Sequence, residues 1–245
     1  MGAKRSLIRR ITRLFLWLVA SWLILTGAVV LALRWLDPPT TAFMLRDRAA
    51  AGDDRRYRFR HEWIDNRQIS AHLKVAVIAA EDQTFPEHHG FDLKSINDAL
   101  EDRERGRRIR GASTISQQVA KNLFLWPGQS WVRKALEAYF TVLIEALWPK
   151  QRVLEVYLNV AEFGKGVFGA GAAAEVFFAK SPARLTQSEA ALLAAVLPSP
   201  KRMRVNAPSR YVRSRQQWIL GQMRGLGGTS LVQRIEEPRK TAKKK

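Results

Sequence analysis

Two adjacent carboxylates at the end of an apolar helix are the residues of this sequence best suited to acid–base chemistry. Residues 75–80 are apolar, Glu81 and Asp82 follow them directly, and Pro86 then breaks the helix. A carboxylate in such a place is partly desolvated, which raises its pKa and makes it a better acceptor for the proton of an alcohol. The pattern predicts a general base; the alternative is a pair that only forms salt bridges or caps the following loop.

A second segment gathers hydroxyl, amide and ammonium donors. Gly111 allows a turn, and Ser113 is the predicted N-cap of the helix that follows. That helix carries donors at near-helical spacing, namely Thr114, Gln117, Gln118 and Lys121. Because helix N-termini bind anions, the segment predicts a site for a phosphate or a sugar. The alternative is an ordinary capped helix with a polar face.

A third segment pairs cations with a carboxylate. Arg133 and Glu137 lie four residues apart on one face of a predicted helix, and Lys134 is next to Arg133. Taken alone, such a pair stabilises a helix by only about 0.3–0.5 kcal/mol and indicates no more than an ion pair. The combination of all three segments within residues 81–137 is what favours an active site.

Several cofactor sites are excluded or disfavoured. The chain has no Cys, so it cannot hold thiolate-ligated zinc or an iron–sulfur cluster. Its four histidines form neither an H-E-x-x-H motif nor an i,i+4 pair, so no metal site is predicted. Residues 164–169 match G-x-G-x-x-G, but the preceding residues read as helix rather than strand, so we expect a glycine loop and not a dinucleotide site.

The charge balance points to a polyanionic partner. The 245-residue chain carries 41 Lys and Arg against 22 Asp and Glu, a formal net charge of +19. Nucleic acid, anionic lipid headgroups and substrate phosphates all fit that charge. With 47% hydrophobic residues, the chain is long enough to bury one sizeable core, and we expect one main domain.

Residues 14–34 are predicted to form a transmembrane helix. The uncharged run 14–33 spans about 30 Å as a helix, the thickness of a bilayer core. Five cationic residues precede it, which places the N-terminus in the cytoplasm and the remainder outside. A cleaved signal peptide is the alternative, but the run is long for one and no clear A-x-A site ends it. Nucleic-acid binding is therefore not expected of the exported part.

Helical periodicity dominates the rest of the chain, so the predicted fold is mainly α. Apolar residues recur at helical spacing from residue 60 onward, and no β-rich stretch with hairpin chemistry is evident. Thr186 and Glu189 form a capping-box signature. The apolar segment 41–45 is predicted either to dip into the membrane or to pack on the domain. The predicted organisation is a cytoplasmic basic N-terminus (1–13), a transmembrane helix (14–34), a linker and membrane-proximal segment (35–60), the main domain (61–225) and a basic C-terminal tail (226–245).

In order and spacing, these segments resemble the motifs of the peptidoglycan glycosyltransferases, the family shared by monofunctional cell-wall transglycosylases and the N-terminal domains of class A penicillin-binding proteins. E-D-x-x-F-x-x-H-x-G is matched by Glu81, Asp82, Phe85, His88 and Gly90. The second motif runs from Gly111 to Asn122, with Ala112 at a position that is often Gly. R-K-x-x-E is matched by Arg133, Lys134 and Glu137. The fourth is matched by Lys150, Leu154, Glu155, Tyr157, Leu158, Asn159 and Gly164. The resemblance covers roughly residues 38–225.

The resemblance implies a reaction and a set of site residues. The sequence has no S-x-x-K or K-T-G element of a penicillin-binding transpeptidase, so it looks like a monofunctional enzyme. Such an enzyme polymerises lipid II into glycan strands and releases undecaprenyl pyrophosphate. Glu81 is the implied general base, and Glu137 the second catalytic residue. The implied substrate-binding residues are Asp82, Phe85, His88, Ser113, Thr114, Gln117, Gln118, Lys121, Asn122, Arg133, Glu155 and Asn159, of which Lys121 and Arg133 would hold the diphosphates.

The resemblance also implies fold, location and partners. The expected fold is mainly α, with a lysozyme-like lobe and a smaller membrane-proximal lobe. The expected location is the cell inner membrane, with the glycosyltransferase domain in the periplasm. The expected partners are lipid II, the growing glycan strand, the cytoplasmic membrane and proteins of the cell-division or elongation machinery. No cofactor is expected to be required, and stimulation by Mg²⁺ or Mn²⁺ stays open.

Two other functions stay open on the sequence. A lytic transglycosylase or lysozyme-like hydrolase would use a related helical fold and a catalytic Glu, but it has no use for a membrane anchor or a diphosphate-binding Lys and Arg. A membrane-tethered cell-wall scaffold would explain the positive charge and the basic tail. The scaffold predicts that Glu81→Gln leaves function intact.

Overall fold

The computed structural model describes residues 2–55, 57–94, 97–98, 101, 113–128 and 130–237, which form two compact units. The first unit, up to Pro38, consists of one long helix, α1 (Gly2–Ala32). Within it, residues Arg9–Ala32 are long and apolar enough to cross a membrane. The predicted span 14–34 therefore lies almost wholly within this continuous helix, which ends before Pro38 and Pro39.

The second unit, from Pro39 onward, is mainly helical, which confirms the predicted fold class. Its helices are α2 (Ala42–Ala51), α3 (Ala71–Glu81), α4 (Ile115–Phe124), α5 (Trp131–Leu147), α6 (Lys150–Val160), α7 (Gly169–Phe178), α8 (Gln187–Val196), α9 (Arg210–Gly225) and α10 (Ser230–Glu236). Single 3₁₀ turns cover Asn66–Gln68 and Pro182–Arg184. The division into a lysozyme-like lobe and a smaller lobe stays a prediction.

Side-chain caps fix where several helices begin. The predicted capping box of Thr186 and Glu189 is present at the start of α8. At α4 the cap is Thr114, and the prediction of Ser113 is wrong by one residue. The Thr114 hydroxyl accepts a hydrogen bond from the Gln117 N–H, and the Gln117 side chain accepts one from the Thr114 N–H at 2.9 Å. Because two donors are satisfied reciprocally, this box fixes the first turn of α4.

A small three-stranded sheet contradicts the expectation of no hairpin. It consists of β1 (Arg60–His61), β2 (Glu162–Gly164) and β3 (Val167–Phe168), with β3 in the centre, parallel to β1 and antiparallel to β2. Within the glycine segment 164–169, Lys165 and Gly166 form the turn between β2 and β3, and Gly169 begins α7. Gly169 has φ +82°, and a Cβ there would lie 2.7 Å from the Asn159 carbonyl oxygen. The glycine therefore permits a close backbone approach.

The core of the second unit is built around α3. Its residues 73–79 are all buried, and all of them except Lys74 are apolar. Helices α8 and α9 pack against it, while α4 packs against α5 and α6. The end of α3, with the two adjacent carboxylates, therefore lies at the edge of the core, next to the start of α4.

The predicted C-terminal tail, residues 226–245, includes a helix that packs on the domain, so the tail begins at a later residue than predicted. Helix α10 lies inside that range and packs against α3 and α6, with Leu231, Val232 and Ile235 buried. These apolar residues share one helical face, but a single seven-residue helix gives only a weak periodic signal among basic neighbours. The lysine-rich end of the predicted tail, residues 238–245, lies outside the described residues.

Helix α10 also neutralises a buried lysine of α3. Lys74 is 3% exposed, and its ammonium donates to the Asn66 carbonyl at 2.8 Å and to the Glu236 carboxylate at 2.6 Å. Partial burial acts to raise the pKa of Glu236, but hydrogen bonds from Lys74 and Asn66 and the Lys74 charge lower it overall. The ion pair therefore stabilises the fold above the carboxylate's unfolded pKa, and this contribution is lost as pH falls through its folded pKa.

We expect Glu236→Gln to lower the free energy of unfolding at pH 7 by about 2 kcal/mol, because the Lys74 ammonium stays buried without a counter-charge. Chemical denaturation of the detergent-solubilised protein measures this change. Glu237→Gln is the matched control, since Glu237 is exposed. Equal stability of the two variants at pH 7 would contradict the role of the pair, and the difference between them should shrink at acid pH.

Candidate active site

Glu81, the last residue of α3, is held by two other helices. Its side chain is 14% exposed. The Gln118 amide of α4 donates to one carboxylate oxygen at 2.9 Å, and the Arg215 guanidinium of α9 lies 3.4 Å from the other. Arg215 also donates to the Ala80 carbonyl at 3.3 Å. Both carboxylate oxygens are therefore fixed in position at the end of the buried helix.

Burial has the largest influence on the pKa of Glu81 and raises it above the usual value for Glu. The hydrogen bond from Gln118 and the positive charges of Arg215 and Lys121 lower the pKa in part, while the charge of Asp82 raises it. The net upward direction is the one that the apolar helix predicts. A carboxylate with a raised pKa is a stronger base towards an alcohol at neutral pH.

Asp82 and His88 connect the end of α3 to the start of α4. The buried Asp82 carboxylate accepts a hydrogen bond from the Ile115 N–H at 2.9 Å and one from His88 Nε2 at 2.9 Å. His88 Nδ1 accepts from the Gly90 N–H at 3.0 Å, which places the ring proton on Nε2. Both residues thus fix the backbone around Glu81, and neither depends on a bound substrate for its partners.

Of the donors predicted on α4, Gln118 bonds to Glu81, whereas Thr114 and Gln117 bond to the backbone at the start of the helix. The buried Thr114 hydroxyl donates to the Gly90 carbonyl at 2.6 Å, so it ties α4 to the loop after α3. The Tyr157 hydroxyl donates a hydrogen bond of 3.3 Å to the amide oxygen of Gln118 and so holds that side chain in place. Ser113 is exposed and Asn122 is half-buried.

Lys121 and the third motif form a cluster of positive charge around Glu137. Glu137 is 3% exposed; Arg133 donates to it at 2.7 Å, and Lys134 forms an ion pair with its other oxygen. Burial lowers the pKa of Lys121, the charge of Arg133 lowers it further, and the charge of Glu137 acts against both. Because Glu137 is already paired with two cations, it is suited to orienting them.

Three residues predicted to bind substrate make contacts within the domain. Phe85 is fully buried, with the Lys150 ammonium 4.6 Å from its ring centroid. Glu155 accepts from the Asn66 N–H at 2.8 Å and from Arg152 at 2.9 Å. The fully buried Asn159 exchanges two hydrogen bonds of 2.9 Å with the backbone of Ile64. These contacts stabilise the fold around the site, and the role of the three residues in substrate binding stays a prediction.

Arg215 contacts Glu81 but was not among the site residues predicted from the sequence. It lies 134 positions after Glu81, in a helix with several other arginines. Only the packing of α9 on α3 brings its guanidinium to the carboxylate. No local pattern distinguishes Arg215 from its exposed neighbour Arg213.

We expect Arg215→Gln to shift the acid limb of the pH profile of kcat/KM to higher pH. Removing the cation removes an influence that lowers the pKa of Glu81, so the base becomes protonated at a higher pH. The loss of activity relative to wild type should therefore be larger at pH 6 than at pH 8. Arg210→Gln, an exposed change on the same helix, is the control. An unshifted acid limb in Arg215→Gln would contradict this role.

Comparison with known proteins identifies the family. A family model described as Transglycosylase matches residues 50–224. The chain is 54% identical over 237 residues to the biosynthetic peptidoglycan transglycosylase of Xanthomonas euvesicatoria, covering 95% of this chain and 96% of that protein. The chain belongs to the transglycosylase family. Proteins of the same name from Stutzerimonas stutzeri and Pseudomonas entomophila are 52% and 51% identical to this transglycosylase, covering 95% and 96% of its chain and 95% and 98% of their own.

All the site segments of this transglycosylase lie inside the matched region. Glu81, Lys121, Glu137 and Arg215 fall within residues 50–224, whereas α10 lies beyond it. Among the residues that the structure describes, no group of three or more His, Asp or Glu side chains is placed to hold a metal ion. The arrangement supplies one desolvated carboxylate and a nearby cluster of cations, which suits proton removal next to an anionic group.

Proposed function

We propose that this transglycosylase polymerises lipid II with Glu81 as the general base. The chain is a glycosyltransferase that acts on peptidoglycan, with lipid II and the growing glycan strand as its substrates. In the proposed step, the acceptor sugar's 4-hydroxyl oxygen bonds to C1 of the donor sugar as the bond from C1 to the diphosphate breaks. The proton passes to Glu81, and undecaprenyl pyrophosphate departs with the bonding electrons. The observation that carries this assignment is the desolvated Glu81 carboxylate held by Gln118 and Arg215.

The cation cluster suits the departing diphosphate. A diphosphate is a good leaving group as an anion, so the step needs cations at that end rather than a protonated carboxylic acid. Lys121 and Arg133 are proposed to stabilise the negative charge that develops there. Glu137 is proposed to orient the cations, because it is already bonded to Arg133 and Lys134.

One helix in the described part of the chain is long and apolar enough to cross a membrane, which supports a membrane-anchored enzyme. We propose that Arg9–Ala32 is a single-pass anchor in the cell inner membrane, with the N-terminus in the cytoplasm and the catalytic domain in the periplasm. This orientation would place the site on the side where a lipid-linked sugar can serve as donor without a nucleotide-sugar pool. Binding to cell-division or elongation proteins stays a prediction from the family resemblance.

Turnover of labelled lipid II by the full-length protein in detergent tests the proposal. We expect polymer that muramidase degrades, with one undecaprenyl pyrophosphate released for each glycosidic bond formed. Parallel reactions with EDTA, Mg²⁺ or Mn²⁺ test the prediction that no cofactor is required. Shortening of preformed strands would instead support the lytic hydrolase, and a folded protein without either activity would support the scaffold.

A further inference from the structure

The Lys121 side chain is in an unusual position for a largely buried cation. Among the residues that the structure describes, its ammonium makes no hydrogen bond and no ion pair. Glu137, the carboxylate with the largest effect on it, is bonded to Arg133 and Lys134 instead. No residue that the structure describes therefore uses the three N–H donors of Lys121.

An aromatic ring supports this ammonium. The Lys121 nitrogen lies 5.4 Å from the centroid of the Phe43 ring, within the range of a cation–π interaction. Phe43 belongs to α2, within the segment predicted as linker and membrane-proximal, and it is half-buried against α4. Phe43 and the fully buried Met44 pack on the domain, while Leu45 is exposed, and the predicted insertion of residues 41–45 into the membrane stays a prediction.

Helix α2 is held by a cap at its start and by contacts of Asp47 in its second half, so the Phe43 ring has a defined position. At its start, the buried Thr41 hydroxyl accepts a hydrogen bond from the Met44 N–H at 3.1 Å. Further along, Asp47 accepts from the Tyr57 hydroxyl at 2.6 Å and forms an ion pair with Lys201. The ion pair with Lys201 joins α2 to a part of the domain that is distant in sequence.

We propose that Phe43 is a positioning residue that holds the Lys121 ammonium for an anionic diphosphate group of the substrate. The inference rests on the proposed role of Lys121 and extends it to the helix that follows the membrane anchor. A ring attracts an ammonium through its π face without accepting a conventional hydrogen bond or neutralising its charge. A carboxylate in the same place would occupy one of the donors and cancel the charge that the diphosphate needs.

Phe43→Leu, Phe43→Tyr and Lys121→Met test this inference through kcat/KM for lipid II. We expect Phe43→Leu to lower kcat/KM about fivefold, because the apolar volume is kept but the π face is lost. Phe43→Tyr should remain near wild type, since it keeps the ring. In the Lys121→Met background, Phe43→Leu should have no further effect. Leu45→Ala, an exposed change on the same helix, is the control.

The outcomes separate this inference from the proposed function. If Lys121→Met is as active as wild type, the proposed role of Lys121 fails and the inference fails with it. If Lys121→Met is impaired but Phe43→Leu is not, only the inference fails. Equal losses in Phe43→Leu, Phe43→Tyr and Leu45→Ala, or an unchanged effect of Phe43→Leu without the Lys121 ammonium, would show a general structural role and overturn it. Thermal unfolding confirms that each variant is folded.

Discussion

Glu81→Gln is expected to lower kcat for lipid II polymerisation by about three orders of magnitude. Gln has nearly the same shape and can still accept a hydrogen bond from Arg215, so the fold around the end of α3 should be preserved. The neutral amide cannot take the proton of the attacking hydroxyl. The loss should therefore be in the chemical step, with only a small change in KM.

The size of this loss is measured by the rate of polymer formation at saturating lipid II. Glu87→Gln is the matched control, because it makes the same change at an exposed position in the loop that follows. A folded Glu81→Gln protein that keeps more than about a tenth of the wild-type kcat would be incompatible with loss of a general base.

Lys121→Met is expected to lower kcat/KM by about a hundredfold, the second-largest effect. Within the described part of the chain, the Lys121 ammonium donates to no residue and lies in the field of the Glu137 cluster, so its loss removes a cation from the region where negative charge develops. Met keeps most of the apolar side chain, and removing a half-buried charge should not harm the fold. The loss should therefore be kinetic and not thermodynamic.

Release of undecaprenyl pyrophosphate, followed over a range of lipid II concentrations, gives kcat/KM for this variant. Lys180→Met is the control, since Lys180 forms a partly exposed ion pair with Glu189 and such pairs contribute little to stability. A Lys121→Met enzyme with wild-type kcat/KM would exclude Lys121 from the diphosphate site.

The fold was predictable where long patterns determine it. The apolar run in α1 and the apolar stretch 75–80 of α3 were visible as continuous signals, and the capping box at Thr186 was visible as a local one. The sheet was not, because its strands are two or three residues long and offer no alternation to detect. The same limit applies to the short helix α10, whose burial depends on α3 and α6.

The charged residues of the candidate site were predictable from the sequence, but the residues that hold them in place were not. Glu81, Lys121 and Glu137 stand in dense local motifs, and helix geometry brings Arg133 and Lys134 to Glu137. Arg215 and Phe43 reach the same region through contacts between helices distant in sequence, for which a single sequence carries no signal. Phe85 and Asn159 show the opposite case, since their motif positions serve packing and backbone hydrogen bonds.

The pH dependence of kcat/KM, measured for wild type and for the residual activity of Glu81→Gln, tests most directly whether Glu81 is the base. Wild-type activity should fall on the acid side with an apparent pKa above the usual value for Glu, because burial raises the pKa of Glu81. The residual activity of Glu81→Gln should lack this acid limb. The same acid limb in both proteins would show that the titrating group is another residue and that Glu81 is not the base.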